Sequence, residues 1–449
     1  MPRIRAALLA AAALGIPSSL PAQTTLTLDQ AIANAVSGNR ALLADRSRVH
    51  EAELGVQEAK SSYFPRLTVG ESWQRSNQPV FVFSSLLSSR EFAASNFAID
   101  ALNHPDPLPF FRTSVGVEQL LYDGGRARSE ASAAALRRDA LSHQSDQASA
   151  DLALAVSQTY GRVLAAQAAE RAAAAGVEAA REDLTRAERR RDVGMATDAD
   201  VLSLRVHLTG LEQRQIEAGG EAAIARAELN RLMGAPLDRA YDIVEPQLEA
   251  DSRQPIDTAA FVREALASRP SLKSQEAETR LADTLRAESR SGLIPRIAVQ
   301  GGVDVSGTSF GDRTSAWAVG GELRWTFSTG GAEIARIKSA AEASSRARLE
   351  HEDARAAVEV EVVSAVRRLE TALARQRVGA AAVDQARESQ RIIRDRFEVG
   401  MAGTDDVLRA STAVVDAEAR RTAAVVDALV SRASLERAVG RIPRSRGSL

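Results

Sequence analysis

Few side chains in this sequence could perform acid–base catalysis, act as nucleophiles or bind a metal ion. The 449 residues contain no cysteine and five histidines. The histidines are scattered, and none lies in an HExxH motif, a GxSxG motif or a phosphate-binding loop. We therefore predict that the chain is not an enzyme and has no cofactor or metal site, with each histidine a solvated or helix-surface residue. The five are His50, His104, His143, His207 and His351.

The charged residues are nearly balanced and form no dense basic run. The chain has 57 Lys and Arg residues against 59 Asp and Glu residues, a net charge of −2. A surface that binds nucleic acid carries a basic excess, so we expect no nucleic-acid partner. Beyond the initiator, the methionines are Met195, Met233 and Met401, which are too few to form a track for a soft metal ion.

The N-terminus has the features of a secretory signal peptide. Arg3 and Arg5 precede an apolar stretch at 6–16, and Ala22 ends an A-x-A-like cleavage site. We place the signal peptide at 1–22. No later stretch reaches the ~18 consecutive apolar residues of a membrane-spanning helix. If the mature chain crosses a bilayer, we expect it to do so as β-strands.

A long internal repeat is the most informative pattern. VGMATDADVL at 193–202 recurs as VGMAGTDDVL at 399–408, 206 residues later. Two further motifs, one with paired glycines and one with a single glycine, recur at the same offset. The chain is therefore two tandem copies of one structural unit. The further matches are LYDGG at 121–125 with FSTGG at 327–331, and RLMG at 231–234 with RAVG at 437–440.

A fourth match locates an insertion and the boundary between the copies. FPRL at 64–67 matches IPRI at 294–297 with an offset of 230, so the first copy carries 24 extra residues within 76–110. Prolines 236, 246 and 255 interrupt the pattern between the copies. The predicted division is a first repeat at 23–236, a linker at 237–255 and a second repeat at 256–449.

Each Gly-Gly motif is followed by a long stretch without proline. Its residues are mainly Ala, Arg, Glu and Leu, which favour the α-helix. The stretch from 331 to 398 would form a helix of roughly 100 Å at ~1.5 Å per residue. Apolar residues such as Val358, Val362 and Leu369 follow the alternating spacing of a coiled coil. We predict antiparallel helical hairpins at 125–234 and 331–440.

The repeated ten-residue motif has the residues of a tight turn between two helices. Gly194 and Gly400 can adopt the left-handed conformation that ends a helix. Thr197 can cap the next helix, with Asp200 three residues on as in a capping box. In the second copy Gly403 takes the cap position, with Asp406 three residues on.

Between the Pro-Arg and Gly-Gly motifs, apolar residues alternate with polar ones, as in strands with two unlike faces. We predict strand pairs at 66–75 with 111–121 and at 296–305 with 315–327. The apolar face carries aromatic residues towards the strand ends, as in the aromatic girdle of a membrane barrel. The predicted lipid-facing residues are Trp73, Phe111, Trp317, Leu323, Trp325 and Phe327.

Two interpretations of these strands stay open at this point. A soluble antiparallel sheet also alternates, so the chain could be a secreted periplasmic coiled-coil scaffold with a soluble β head. If the strands enter lipid, four cannot close a barrel, and an open edge in hydrocarbon is not tolerated. Three chains would give twelve strands and an opening. This second interpretation predicts an α+β membrane protein, with long coiled-coil hairpins and four strands per chain in a trimeric twelve-stranded outer-membrane β-barrel.

The signal peptide, the tandem copies, FPRL at 64–67, YDGGR at 122–126 and the twin turns together resemble the TolC-type outer-membrane efflux protein family. The resemblance spans essentially the whole mature chain. It implies a homotrimer in contact with outer-membrane lipid, with an α-helical tunnel that extends into the periplasm. It also implies a passive exit channel of a tripartite efflux or type I secretion system. Such a channel would dock an inner-membrane pump through a periplasmic adaptor (membrane fusion) protein.

The resemblance assigns roles to the two turns. The adaptor would contact the periplasmic tips, here Gly194, Met195, Asp200, Gly400 and Met401. Asp406 falls on the acidic gate position of the family, whereas Arg409 stands where well-known members carry a second aspartate. Asp406 and the adjacent Asp405 could therefore form a gate with arginine counter-charges, or Asp406 could pair with Arg409 and only cap its helix. The candidate counter-charges are Arg394, Arg396 and Arg409.

The Phe- and Leu-rich loop at 76–110 would fold over or into the barrel mouth.

Overall fold

The structure is a computed structural model that describes residues 25–246, 256–326 and 328–444. The predicted signal peptide at 1–22, Phe327 and the part of the predicted linker at 247–255 lie outside the described residues. The elements of the first half are β1 Thr25–Leu26, α1 Leu28–Gly38, α2 Arg40–Ser61, β2 Arg66–Ser76, α3 Pro79–Ser88, α4 Ile99–Asn103, β3 Leu108–Tyr122, α5 Arg126–Asp192, α6 Asp198–Met233 and β4 Asp242–Ile243. Those of the second half are α7 Thr258–Ser268, α8 Pro270–Glu288, β5 Arg296–Gly307, β6 Thr314–Arg324, α9 Ala332–Glu398 and α10 Thr404–Val439.

Two long helical hairpins dominate the chain, one in each half. Helices α5 and α9 both have 67 residues, while α6 and α10 both have 36. The long helices start after Gly125 and Gly331, and the short ones end before Gly234 and Gly440. All four glycines have positive φ, which residues with a side chain adopt only at a cost. Glycine therefore sets the helix ends at the same places in both halves.

The four longer strands form one antiparallel sheet in the order β2-β3-β5-β6. Its centre is the pairing of β3 with β5, which joins the two halves of the chain. Strands β2 and β6 lie at the edges. The predicted fold class, with long helical hairpins and four strands, is confirmed. The last strand ends at Arg324 rather than at the predicted 327, so Trp325 lies just beyond it.

Helices α1, α2, α7 and α8 pack against the long helices α5 and α9. Helices α2 and α8 contact α5, while α7 and α8 contact α9. The main apolar clusters lie here and include Val156, Leu229 and Leu369, each at most 1% exposed. Burial of such side chains contributes about 1.5–3 kcal/mol each. The largest clusters therefore lie far from the turns, while a smaller cluster of Ala187, Val201 and Leu204 joins α5 and α6 close to their turn.

Candidate functional site

The two repeated turns have the same backbone geometry. Gly194 and Gly400 have φ of 76° and 78°. Each amide donates to a carbonyl three residues earlier, and each following methionine donates five residues back. Met195 N–H donates to the Arg190 carbonyl and Met401 N–H to the Arg396 carbonyl, both at 2.8 Å. This pattern satisfies helix-end carbonyls and reverses the chain.

Both following helices are capped as the sequence predicts. Thr197 and Asp200 form a capping box, in which each side chain accepts a hydrogen bond from the backbone N–H of the other. Asp406 accepts a hydrogen bond from the Gly403 N–H at 3.1 Å. The hydrogen bond from Thr197 N–H lowers the pKa of Asp200, and the hydrogen bond from Arg409 lowers the pKa of Asp406. Both carboxylates therefore stay ionised to lower pH than a free aspartate.

The two tips contact each other through residues that the sequence analysis did not connect. The hydroxyl of Thr404 donates to Asp200 at 3.3 Å, which joins the starts of α10 and α6. Arg190 donates to the carbonyl of Phe397 at 3.2 Å, and its guanidinium lies 4.9 Å from the centre of that ring. Leu408 packs on an apolar cluster of the first hairpin. The 206-residue offset identified the two turns as copies of each other, but it did not indicate which of their side chains are in contact.

The gate candidates separate into different environments. Asp406 pairs with Arg409 at 2.7 Å within α10. Arg394 faces Asp183 of the first hairpin at 4.0 Å. Asp405 and Arg396 are exposed. Within one chain the structure thus brings together Asp406 and Arg409, whereas the gate itself stays a prediction.

The sheet has one apolar and one polar face over the span of its strands. One cross-strand row of the apolar face contains Val69, Val115, Val303 and Trp317. Leu323 lies six residues from Trp317 along β6, about 20 Å at the usual rise of a strand. Trp317 is 79% exposed and Leu323 66% exposed. In the described chain this apolar band is uncovered except at its outer end, where Phe310 packs on Phe111.

Aromatic side chains lie towards both ends of the apolar band. At the end away from the long helices, the rings of Trp73 and Phe111 lie 6.4 Å apart. Trp73 is exposed, while Phe111 is half-buried. At the other end Trp325 is exposed. The lipid contact predicted for these residues stays a prediction.

Among the residues that the structure describes, no helix is long and apolar enough to cross a membrane. Within the same residues, no group of three or more His, Cys, Asp or Glu side chains could hold a metal ion.

A family model decides between the two interpretations of the sheet. The outer membrane efflux protein model matches residues 31–235 and 261–441, which covers nearly all of both repeats. The chain belongs to the outer membrane efflux protein family. Its resemblance to TolC-type proteins and its location in the outer membrane are thereby confirmed. The family consists of channels for efflux and secretion, and membership disfavours the soluble scaffold.

Individual relatives agree with this assignment. The chain is 26% identical over 453 residues to the outer membrane efflux protein BepC of Brucella suis biovar 1, covering 97% of this chain and 90% of the relative. It is 24% identical over 404 residues to the alkaline protease secretion protein AprF of Pseudomonas aeruginosa, covering 87% of this chain and 80% of that protein. The Campylobacter jejuni CmeC outer membrane channel has the same fold, with a TM-score of 0.78 at 17% identity over 92% of this chain and 85% of that one.

Proposed function

We propose that three copies of the chain form an outer-membrane exit channel that conducts substrates passively from a periplasmic pump complex to the exterior. The observation that carries this proposal is the sheet, whose edge strands β2 and β6 each have one unpaired side in the chain. An uncovered apolar band suits lipid, but open strand edges do not. Pairing β6 of one copy with β2 of the next removes every edge. With three copies, the barrel has twelve strands.

The helical hairpins supply the periplasmic part of the channel. Helices α5 and α9 have 67 residues each, which corresponds to roughly 100 Å at ~1.5 Å per residue. Both run from the sheet to the turns, so the turns lie at the end farthest from the membrane. The names of BepC and AprF refer to efflux and to protease secretion. We therefore infer a channel for either a tripartite efflux pump or a type I secretion system.

We propose that the paired turns dock the periplasmic adaptor protein. Met195 and Met401 are 69% and 77% exposed, next to the glycines that fix each turn. A valine at Gly194 or Gly400 would be strained, because both have φ near 77°. In Gly194→Val with Gly400→Val, export should fail while trimers still assemble. Normal export would remove the docking role from the turns.

Fractionation of native membranes tests the channel itself. A barrel protein should stay in the outer membrane after high-salt and carbonate washes, and cross-linking should trap a species of three chains. The purified species should form ion-conducting pores in planar bilayers. Release by carbonate, or a membrane-bound protein that forms no pores, would contradict the proposal.

A further inference from the structure

The two connections at the outer end of the sheet fold to opposite faces. The short connection at 308–313, between β5 and β6, lies against the apolar face. The ring of Phe310 meets that of Phe111 edge-on at 6.0 Å. Arg313 lies 4.1 Å from the centre of the Phe310 ring and donates to Thr113 at 2.6 Å. Phe111 and Thr113 belong to the apolar-face rows of the sheet.

The long connection at 77–107, between β2 and β3, lies against the polar face. Phe81 of α3 meets Phe110 edge-on at 6.1 Å, and Phe110 is only 5% exposed. Phe110 alternates with Phe111 along β3, so it points to the other face of the sheet. Helix α3 also contacts β5, and Val82 within it is buried. The segment that carries the insertion therefore covers the outer end of the polar face.

Polar contacts fix the long connection to the second strand pair. The hydroxyl of Thr314 donates to the Ser88 carbonyl at 2.9 Å. The hydroxyl of Thr308 lies 2.9 Å from both carboxylate oxygens of Glu91. A chain of edge-on ring contacts also holds the segment together internally. These rings are Phe83, Phe92 and Phe97, with centres 4.7 and 5.1 Å apart.

Arg90, in the long connection, keeps a strained backbone conformation while its side chain contacts the sheet. It is the one non-glycine residue with positive φ among those described, at 59°. That conformation is strained for an L-residue, because Cβ lies too close to the carbonyl oxygen. The Arg90 guanidinium donates to the Ser315 carbonyl of β6 at 3.4 Å. A glycine at this position would relieve the backbone but lose the contact with the sheet.

We propose that the segment 77–107 lies inside the mouth of the assembled barrel and narrows its exit. This inference rests on the proposed function. A barrel in lipid turns its apolar face outwards and its polar face inwards, and some outer-membrane barrels are plugged by loops or a helix. The segment leaves four large apolar side chains exposed, alongside charged ones such as Arg90 and Asp100. The exposed apolar residues are Val80, Leu87, Phe97 and Ile99.

Single-cysteine variants test this placement, because the natural chain contains no cysteine. Val80→Cys places a thiol on the long connection. Gly311→Cys places one on the short connection, where an added side chain meets nothing within 4 Å. In planar bilayers, a charged methanethiosulfonate reagent should change the conductance of the Val80→Cys channel in discrete steps, one per copy. The Gly311→Cys channel should be unaffected. Equal responses, or no response of the Val80→Cys channel, would overturn the proposal.

A deletion measures the size of the constriction. Replacing residues 79–103 by a short Gly-Ser turn should raise single-channel conductance about two-fold or more, because the plug is gone from the lumen. Arg90→Gly should move conductance in the same direction, whereas a merely structural role predicts no change. If the unmodified chain forms no pore, the proposed function fails. If it forms pores whose conductance none of these changes alters, the constriction alone fails.

Discussion

The two halves of the chain end their hairpins in the same backbone geometry but hold those ends with different side chains. Helix α6 ends before Gly234, which has φ of 69°, and α10 ends before Gly440, which has φ of 89°. In the first half the side-chain amide of Asn39 donates to the Leu232 carbonyl at 2.9 Å. In the second half the guanidinium of Arg269 donates to the Ala438 carbonyl at 3.2 Å. A neutral amide in one half and a charged guanidinium in the other thus each donate a hydrogen bond to a carbonyl at the helix C-terminus.

In the second half, Arg269 belongs to a larger network of ion pairs. Arg269 is 6% exposed and pairs with Glu361 at 2.7 Å. Glu361 also pairs with Arg437, which in turn contacts Asp151 of the first hairpin at 2.6 Å. At the position equivalent to Glu361, 206 residues earlier, the first half has Ala155, which packs on an apolar cluster. The network therefore belongs to the second half and extends across to the first.

A buried tyrosine makes a further polar contact in the first half. Tyr160 is fully buried, and its hydroxyl lies 2.8 Å from the Leu26 carbonyl and 2.6 Å from the Val244 carbonyl. It thereby joins β1 to the residue that follows β4. The equivalent position in the second half is Val366, which is equally buried but apolar. The comparison teaches that repeated backbone geometry does not require repeated chemistry.

Removing Glu361 should have the largest effect on the second half. Glu361→Ala leaves Arg269 buried without its carboxylate, and we expect a loss of about 2–4 kcal/mol, because breaking a buried ion pair strands a charge. The partial exposure of Glu361, 37%, keeps the effect at the lower part of this range. Thermal unfolding of the channel in detergent, at fixed protein concentration, measures it. The combination with Arg269→Met should recover most of the loss, since it removes the unpaired charge, and an equal loss in both variants would argue against the network.

Removing the hydroxyl of Tyr160 should have a smaller effect on the first half. Tyr160→Phe loses a buried hydrogen bond, and we expect a loss of about 1–2 kcal/mol in the same unfolding assay. Burial raises the pKa of Tyr160, so the fold favours the neutral phenol. This stabilisation is fully present below the unfolded pKa of about 10 and is lost as pH rises above it. The natural channel should therefore lose stability above pH ~10 more steeply than Tyr160→Phe. Parallel curves would contradict a stabilising role for the neutral Tyr160 hydroxyl.

Asn39 provides a test that separates two roles of one side chain. Besides donating to Leu232, its oxygen accepts from the backbone N–H groups of Ala41 and Leu42 and caps α2. Asn39→Ala should lose about 1 kcal/mol, which is typical of a lost cap. Asn39→Ser keeps a capping oxygen and should recover part of the loss. If serine is no better than alanine, the contact with Leu232 is the main contribution.

The sequence predicted those features that depend on local patterns. Glycine positions located the helix ends, and alternation located strands such as β5, predicted at 296–305 and found at Arg296–Gly307. The missed features depend on contacts between distant segments. Nothing near Asn39 or Arg269 indicates which helix end each side chain reaches, and no local pattern decides on which face of the sheet residues 77–107 lie. The resemblance suggested Asp406 either as a gate residue or as a helix cap paired with Arg409, and the structure shows the pair with Arg409, whereas the gate stays a prediction.

The smallest effect, and the sharpest contrast between the halves, is expected at the turns. Asp200 and Asp406 are equivalent aspartates, and both cap a helix. Only Asp200 also reaches the opposite hairpin, by accepting from Thr404. Asp200→Asn or Thr404→Val should therefore loosen the paired tips and raise open probability about two- to five-fold, as expected for one exposed polar contact. Asp406→Asn with Arg409→Ala should leave open probability unchanged.

The pH dependence follows from the same contacts. The pKa values of Asp200 and Asp406 are both lowered, so their contacts persist above the usual aspartate pKa of about 3.9 and are lost as pH falls through the lowered values. Open probability should accordingly be constant between pH ~5 and ~8. Single-channel recordings of the purified protein measure open probability and cation selectivity. If Asp406→Asn with Arg409→Ala opens the channel and reduces cation selectivity while Asp200→Asn does not, then carboxylates of the second hairpin, gathered around the trimer axis, form the gate. The contact between the hairpins would then only position the tips.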